Sequence, residues 1–285
     1  MKIRKMLYPQ RTLNCRGRLL TLDPPVVMGI LNVTPDSFYD GGRYQARDEV
    51  LRQTEKMLYE GAAVVDVGGM SSRPGAARVP EAEELRRVVP VIAAIGEAFP
   101  EALISVDTVR PAVAREAVAA GAHLINDISA GTLAEDMYET VAALGVPYCL
   151  MHMQGTPGTM QRAPRYEDVV QEVLDFFIRE VGKLRELGVV DIVIDPGFGF
   201  GKTLEHNYRL LKNMHVFQIL DLPVLAGLSR KSMIYRLLET TPEEALNGTT
   251  ALHMVALQQG AAILRVHDVR EAVEATRLWE QLNAV

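Results

Sequence analysis

A closed (β/α)8 TIM barrel is the fold class this chain predicts, on three observations. Eight short apolar runs are spaced along its 285 residues, helix-like amphipathic stretches separate them, and polar side chains gather where the apolar runs end. Runs that are apolar throughout, with no alternation, read as strands buried on both faces, as in a parallel sheet. An open sheet with a second domain would fit the same alternation, but no Pro/Gly/Ser-rich linker divides the chain. The expectation is therefore one domain over residues 1–285, with an N-terminal extension over 1–25 and the barrel over 26–285.

The elements follow in order. Arg11–Leu22 carries no strong helix pattern and is expected to form a hairpin covering the barrel bottom. The strands are expected over Val26–Val33, Ala63–Gly69, Leu103–Thr108, His123–Ser129, Pro147–Met153, Asp191–Gly197, Pro223–Ser229 and Ala261–Asp268. Val50, Leu51, Met57 and Leu58 share one face of a first helix that ends near Gly61, and Leu85, Val88, Val89, Ile92 and Ile95 repeat the pattern. Pro111 suits a first helical turn and Gly121 the end of the same helix, while Gly145, Gly188 and Gly260 each fall between a helix and the next strand. Ser232–Gly260 has room for more than one helix, with Pro242-Glu243-Glu244 as a second start, and Val269–Leu282 is an amphipathic helix that closes the ring.

Bulk properties remove several classes of function. A content of 48% apolar and 23% charged residues is that of a soluble globular chain. No apolar run approaches the roughly 20 residues that span a bilayer, and the basic start MKIRKMLYPQR lacks a signal peptide's apolar stretch. Two cysteines, Cys15 and Cys149, are too few for a disulfide framework, which points to the cytoplasm. A net charge of −6 argues against a nucleic-acid binder, though not against a small anionic substrate.

In a barrel every strand delivers its last residues to one face. Those ends read Asn32; Ser71, Ser72 and Arg73; Asp107 and Thr108; Asn126 and Asp127; His152; Asp195; Ser229, Arg230, Lys231 and Ser232; Arg265, His267 and Asp268. A single polar residue at a strand end often only caps the next helix, but chance explains eight such ends poorly. Arg73, Lys231, Arg265 and His267 suit an anion, since guanidinium offers two-point hydrogen bonding to phosphate. Asp107, Asn126 and Asp195 suit a heterocycle bearing amino and carbonyl groups; paired carboxylates would also serve a glycosidase.

The run GFGFGKT at Gly197–Thr203 invites a P-loop reading but fails by one position, because Pro196 stands where glycine is needed. It reads better as a loop passing close to a ligand, with Lys202 near it and Phe198 or Phe200 as an apolar wall. The histidines show no zinc spacing; a hard divalent cation held by oxygens and substrate phosphates is compatible with Asn32 and nearby aspartates. His123, His253, Cys149 and Met28 read as packing residues, and Met151 as core close enough to a strand end to line a pocket.

The polar ends also carry recognisable motifs. NVTPDSFYDGG (Asn32–Gly42), GGMSSRPGA (Gly68–Ala76), SVDT (Ser105–Thr108), INDIS (Ile125–Ser129), DPGFGFGK (Asp195–Lys202), LSRKS (Leu228–Ser232) and RVHD (Arg265–Asp268) resemble the motifs of the dihydropteroate synthase family, in that family's order. The resemblance implies the same barrel and condensation of 6-hydroxymethyl-7,8-dihydropterin diphosphate with 4-aminobenzoate to 7,8-dihydropteroate, with release of pyrophosphate. It implies C–O ionisation followed by amine attack, Mg2+ as cofactor, a homodimer, and competition by sulfonamides. By the same resemblance Asp107, Asn126, Asp195 and Lys231 hold the pterin, and Asp107 stabilises its cationic methylene. Asn32 and Asp36 serve the metal; Ser72, Arg73, Arg265 and His267 hold the diphosphate. Phe38, Pro74, Phe200 and Lys231 flank the benzoate, with Ser232 near its carboxylate.

The chain departs from the family's common GGESTRPGA: Met70 replaces the acid and Ser72 the threonine, while Arg73 and Pro74-Gly75 are intact. Two rivals share the fold. A corrinoid-dependent methyltetrahydrofolate methyltransferase needs the pterin pocket but no diphosphate site, so Arg73, SRKS and RVHD weigh against it. A non-catalytic pterin-binding paralogue would be expected to have lost the loop residues or the cationic cluster, which this chain keeps.

Overall fold

A computed structural model describes residues 12–33, 43–70, 79–156, 158–161 and 163–285, with the side chains of 43–46 left aside. It shows a closed eight-stranded parallel barrel wrapped by helices, preceded by a two-stranded antiparallel hairpin. The hairpin strands are β1 (Thr12–Cys15) and β2 (Arg18–Thr21). The barrel strands are β3 (Val26–Asn32), β4 (Val64–Gly68), β5 (Leu103–Asp107), β6 (Leu124–Asp127), β7 (Tyr148–Met151), β8 (Ile192–Asp195), β9 (Val224–Ala226) and β10 (Ala261–Val266). Around them run α1 (Arg43–Tyr59), α2 (Glu81–Ala98), α3 (Pro111–Ala119), α4 (Met137–Leu144), α5 (Val169–Glu186), α6 (Leu204–Lys212), α7 (Ser232–Tyr235), α8 (Leu246–Gln258) and α9 (Val269–Ala284). A 3-10 helix, Met214–Leu220, lies between α6 and β9.

Each strand is shorter than its apolar run. The difference is largest at β9, three residues against the seven of Pro223–Ser229. The polar residues at the run ends leave the ladder early and turn into loops, which frees them for a site. Helix stops were better legible: Gly61, Gly121, Gly145, Gly188 and Gly260 all adopt positive φ where the chain leaves a helix. The second helix of the Ser232–Gly260 segment starts at Leu246, because Pro242–Ala245 forms a turn ahead of it.

The hairpin covers the bottom of the barrel, as its sequence suggests. Leu13, Cys15, Leu20 and Leu22 pack with Met28, Val64, Leu103, Leu124, Cys149, Val193, Leu225 and Ile263 in one buried cluster. Burying each such leucine contributes about 1.5–3 kcal/mol. Arg16 donates to the Val118 carbonyl at 2.8 Å and Arg18 to the Pro100 carbonyl at 2.9 Å, which anchors the hairpin beside the segments leading into β6 and β5.

Side chains alternate along a strand with period two. The positions two residues beyond that apolar floor are therefore also inward, and they change character: Val64 is followed by Asp66, Leu103 by Ser105, Leu124 by Asn126, Val193 by Asp195 and Ile263 by Arg265. One set of strands thus supplies an apolar floor and, directly above it, a polar layer.

Candidate active site

Arg265 is the centre of the polar layer. Its Nε donates to Asp66 Oδ2 at 2.6 Å and one terminal nitrogen to Asp107 Oδ2 at 2.6 Å. Asn126 Nδ2 donates to the same Asp66 oxygen at 2.9 Å, so β4, β5, β6 and β10 meet through side chains. Burial, reinforced by the Asp66 charge and opposed by Arg265, pushes the Asp107 carboxyl up to about 7. The facing carboxylates raise Arg265 still further above its ordinary value, and it stays cationic. Asp66 Oδ1 and Ser105 Oγ are buried with no hydrogen-bond partner among the described residues, so the layer offers polar atoms to a ligand.

Asp66 is the residue that sequence reading missed. A lone acid within the otherwise apolar run VVDVG, two positions from the floor residue Val64, was the available signal. Arg265, expected to hold diphosphate, has two of its nitrogens engaged by carboxylates inside the barrel.

Lys231 follows β9, the strand that pairs with the β10 of Arg265. Its Nζ donates to the Phe198 carbonyl at 2.5 Å and stands 4.8 Å from the centroid of the Phe200 ring. Burial lowers Lys231 to about 8, against the pull of Asp195 and Asp107. Asp195 Oδ1 accepts from the Gly197 N–H at 2.7 Å, and its carboxyl is raised by burial with Lys231 as the main opposing charge. Phe200 packs with Met151, Ile128 and Met160 in a small buried apolar cluster.

The other expected residues divide. Asn32 is exposed at the end of β3, with Oδ1 3.6 Å from the position a Gly68 Cβ would take and Asp107 Oδ2 3.7 Å from it. His267 is exposed after β10, its Nδ1 2.9 Å from Ser229 Oγ, which also accepts from the His267 N–H. Ser232 opens the short α7 beside Lys231 and is half-buried. Asp36, Phe38, Ser72, Arg73 and Pro74 lie outside the described residues.

Several strand-end polar residues have structural tasks. Asp127 accepts from Ser129 N–H and Oγ, Gly131 N–H and Tyr148 Oη, a closed network behind β6. Thr108 donates to the buried Glu84 of α2 at 2.6 Å, and Arg230 and Asp268 form a two-point ion pair at 2.8 and 2.9 Å. Lys202 is 3% exposed and turned onto backbone carbonyls and His152. Gly197 has φ +70°, and a Cβ there would lie 1.9 Å from the His152 carbonyl oxygen, so the glycine run serves close approach of two loops.

Comparison with known proteins agrees with this geometry. A family profile described as "Pterin binding enzyme" matches residues 28–267. The chain is 50% identical over 268 residues to the dihydropteroate synthase of Escherichia coli K12, covering 93% of this chain and 94% of that one. The structure of Yersinia pestis dihydropteroate synthase in a sulfonamide drug complex superposes with a TM-score of 0.90 at 46% identity, covering 96% of this chain and all of the other. Xanthomonas albilineans dihydropteroate synthase with 4-aminobenzoic acid gives a TM-score of 0.89 at 45% identity, covering 96% of this chain and 99% of that one. The chain belongs to the pterin binding enzyme family and, within it, to the dihydropteroate synthases.

Proposed function

We infer that this protein condenses 6-hydroxymethyl-7,8-dihydropterin diphosphate with 4-aminobenzoate, forming 7,8-dihydropteroate and releasing pyrophosphate in folate biosynthesis. The observation that carries the inference is the charged layer above the barrel floor, where the Asp66–Arg265–Asp107 cluster is joined by Asp195 with Lys231. Asp107, Asn126, Asp195 and Lys231 hold the pterin ring. The bond from the pterin methylene to oxygen breaks with its electron pair leaving on the diphosphate, and the aniline nitrogen's lone pair then forms the new C–N bond. Asp107 places negative charge beside the methylene as it becomes cationic.

The diphosphate side is assigned to Arg265, His267, Ser72 and Arg73, and the aryl amine to Phe38, Pro74, Phe200, the Lys231 stem and Ser232, with Met151 behind Phe200. Asn32 and Asp36 are proposed as ligands of Mg2+. Asn32 Oδ1, at the exposed end of β3, is a hard oxygen of the kind that suits a cation whose other ligands are phosphate and water. When bound, Mg2+ supplies positive charge to the leaving diphosphate.

The direct test incubates the purified protein with Mg2+, the pterin diphosphate and 4-aminobenzoate, then measures dihydropteroate and pyrophosphate. Folded protein that makes neither product rules the reading out. The role of Lys231 has its own signature. With this amine near 8, kcat/KM should fall on the alkaline side through about that pH, because the charged form is the one that binds. Lys231→Arg, which stays cationic, should remove that limb at lower turnover; an unmoved limb would assign it to another group.

We further propose a cytoplasmic homodimer. Cys15 and Cys149 are both free, buried thiols, as suits a reducing compartment. Leu278 and Leu282, one turn apart on α9, are 66% and 57% exposed, an apolar strip on a late helix. Sedimentation should give twice the 31.5 kDa chain mass, and a monomer at micromolar concentration would refute the dimer.

A further inference from the structure

The loop that follows β8 gives up its backbone oxygens to side chains one after another. The Gly197 carbonyl accepts from Lys202 Nζ at 3.0 Å, Phe198 from Lys231 Nζ at 2.5 Å and Gly199 from Gln161 Nε2 at 2.6 Å. Phe200 accepts from Lys202 Nζ at 3.0 Å and Gly201 from Tyr166 Oη at 2.8 Å. On the donor side, Gly197 N–H is taken by Asp195 Oδ1 and Gly199 N–H by Asn207 Oδ1, each at 2.7 Å. Loops ordinarily run over the surface and leave such groups to water. Here five consecutive carbonyls are held by four side chains.

Three of those side chains belong to neither the pterin nor the diphosphate site. Gln161 and Tyr166 come from the segment between β7 and α5, and Lys202 ties the same segment to the loop through the His152 carbonyl at 3.2 Å and His152 Nδ1 at 2.9 Å. Burying an amine this deeply is costly, and burial pulls Lys202 down to about 7. What the held loop carries is the Phe200 ring, together with the Phe198 carbonyl that receives Lys231. The ring is the apolar wall of the aryl-amine side, and the Lys231 ammonium belongs to the pterin side.

We propose that Lys202, Gln161 and Tyr166 are positioning residues: they lock the Gly197–Gly201 backbone so that the Phe200 ring is already placed for the aryl amine. The proposal rests on the synthase reading and adds a specificity element to it. Preorganised walls lower the cost of ordering on binding, so loosening this one should weaken the aryl amine selectively.

The test is steady-state kinetics on the full-length protein with Mg2+, varying each substrate in turn. Lys202→Met, which keeps the stem and removes the donors, should raise KM for 4-aminobenzoate about tenfold, the weight of a lost charge-assisted hydrogen bond, with KM for the pterin diphosphate moving far less. Should Lys202→Met fail to fold, Tyr166→Phe and Gln161→Ala carry the same test, each raising KM for 4-aminobenzoate about threefold, as expected for one neutral hydrogen bond. In a Phe200→Ala background the Tyr166→Phe effect should vanish, since the ring it positions is gone. Equal losses for both substrates, a lowered melting temperature with unchanged KM, or full additivity with Phe200→Ala would overturn the proposal. A wild-type protein that forms no dihydropteroate would overturn the synthase reading and this one with it, whereas active wild type with unmoved KM values would defeat this one alone.

Discussion

Asp107→Asn should leave pterin binding measurable while turnover falls roughly a thousandfold, about 4 kcal/mol of transition-state stabilisation. The substitution keeps an oxygen that can accept from Arg265, whose terminal nitrogen lies 2.6 Å from Asp107 Oδ2, and removes only the charge. The charge matters because the methylene becomes cationic in a site where water is largely excluded: the Asp107 side chain is 13% exposed. In such surroundings an opposite charge is worth far more than in water. Calorimetry with a pterin lacking the diphosphate reports binding, and a quenched product assay reports turnover. Unchanged turnover would take Asp107 out of the mechanism, and lost binding would make it a ligand-holding residue only.

Arg265→Ala should be the most destabilising single change at the site, by about 3–5 kcal/mol, the usual cost of leaving buried carboxylates without their cation. Asp66 is fully buried and Asp107 nearly so, and one guanidinium serves both. In a chain of this size that loss corresponds to a fall in melting temperature on the order of 10 °C. Adding Asp66→Asn should restore part of the stability, because it removes one of the two stranded charges. In the variant that folds, the diphosphate-bearing pterin should lose more affinity than the pterin without it. Equal losses would confine Arg265 to holding the two aspartates in place, and an unchanged melting temperature would contradict the buried ion-pair network itself.

How far sequence reading reached depends on what kind of information each feature needs. The hairpin was legible because Arg11–Leu22 carries no strong helix pattern ahead of the first strand; that its alternate apolar side chains pack on the barrel bottom came from the structure. Helix ends were legible because positive φ at Gly61, Gly145 or Gly260 is a local property of the backbone. Strand ends were overestimated, since an apolar run does not reveal where pairing stops. Asp66 was missed because its environment comes from Asn126 and Arg265, 60 and 199 positions away.

Strand-end polarity also overstated the site. Asp127, Arg230, Asp268 and Thr108 share the composition of the site residues yet satisfy one another or their neighbours. By itself the sequence determined the barrel, its closed order of strands and helices, the face on which chemistry gathers and the family. These follow from local periodicity and from motifs read in one dimension. Only the tertiary structure decided which polar groups are paired with each other and which face a ligand. Burial and partnership depend on distances between residues far apart in the chain. Lys202 and Lys231 show the difference: two lysines in loops that follow neighbouring barrel strands, one locked under a loop as its anchor, the other held beside Phe200 at the site.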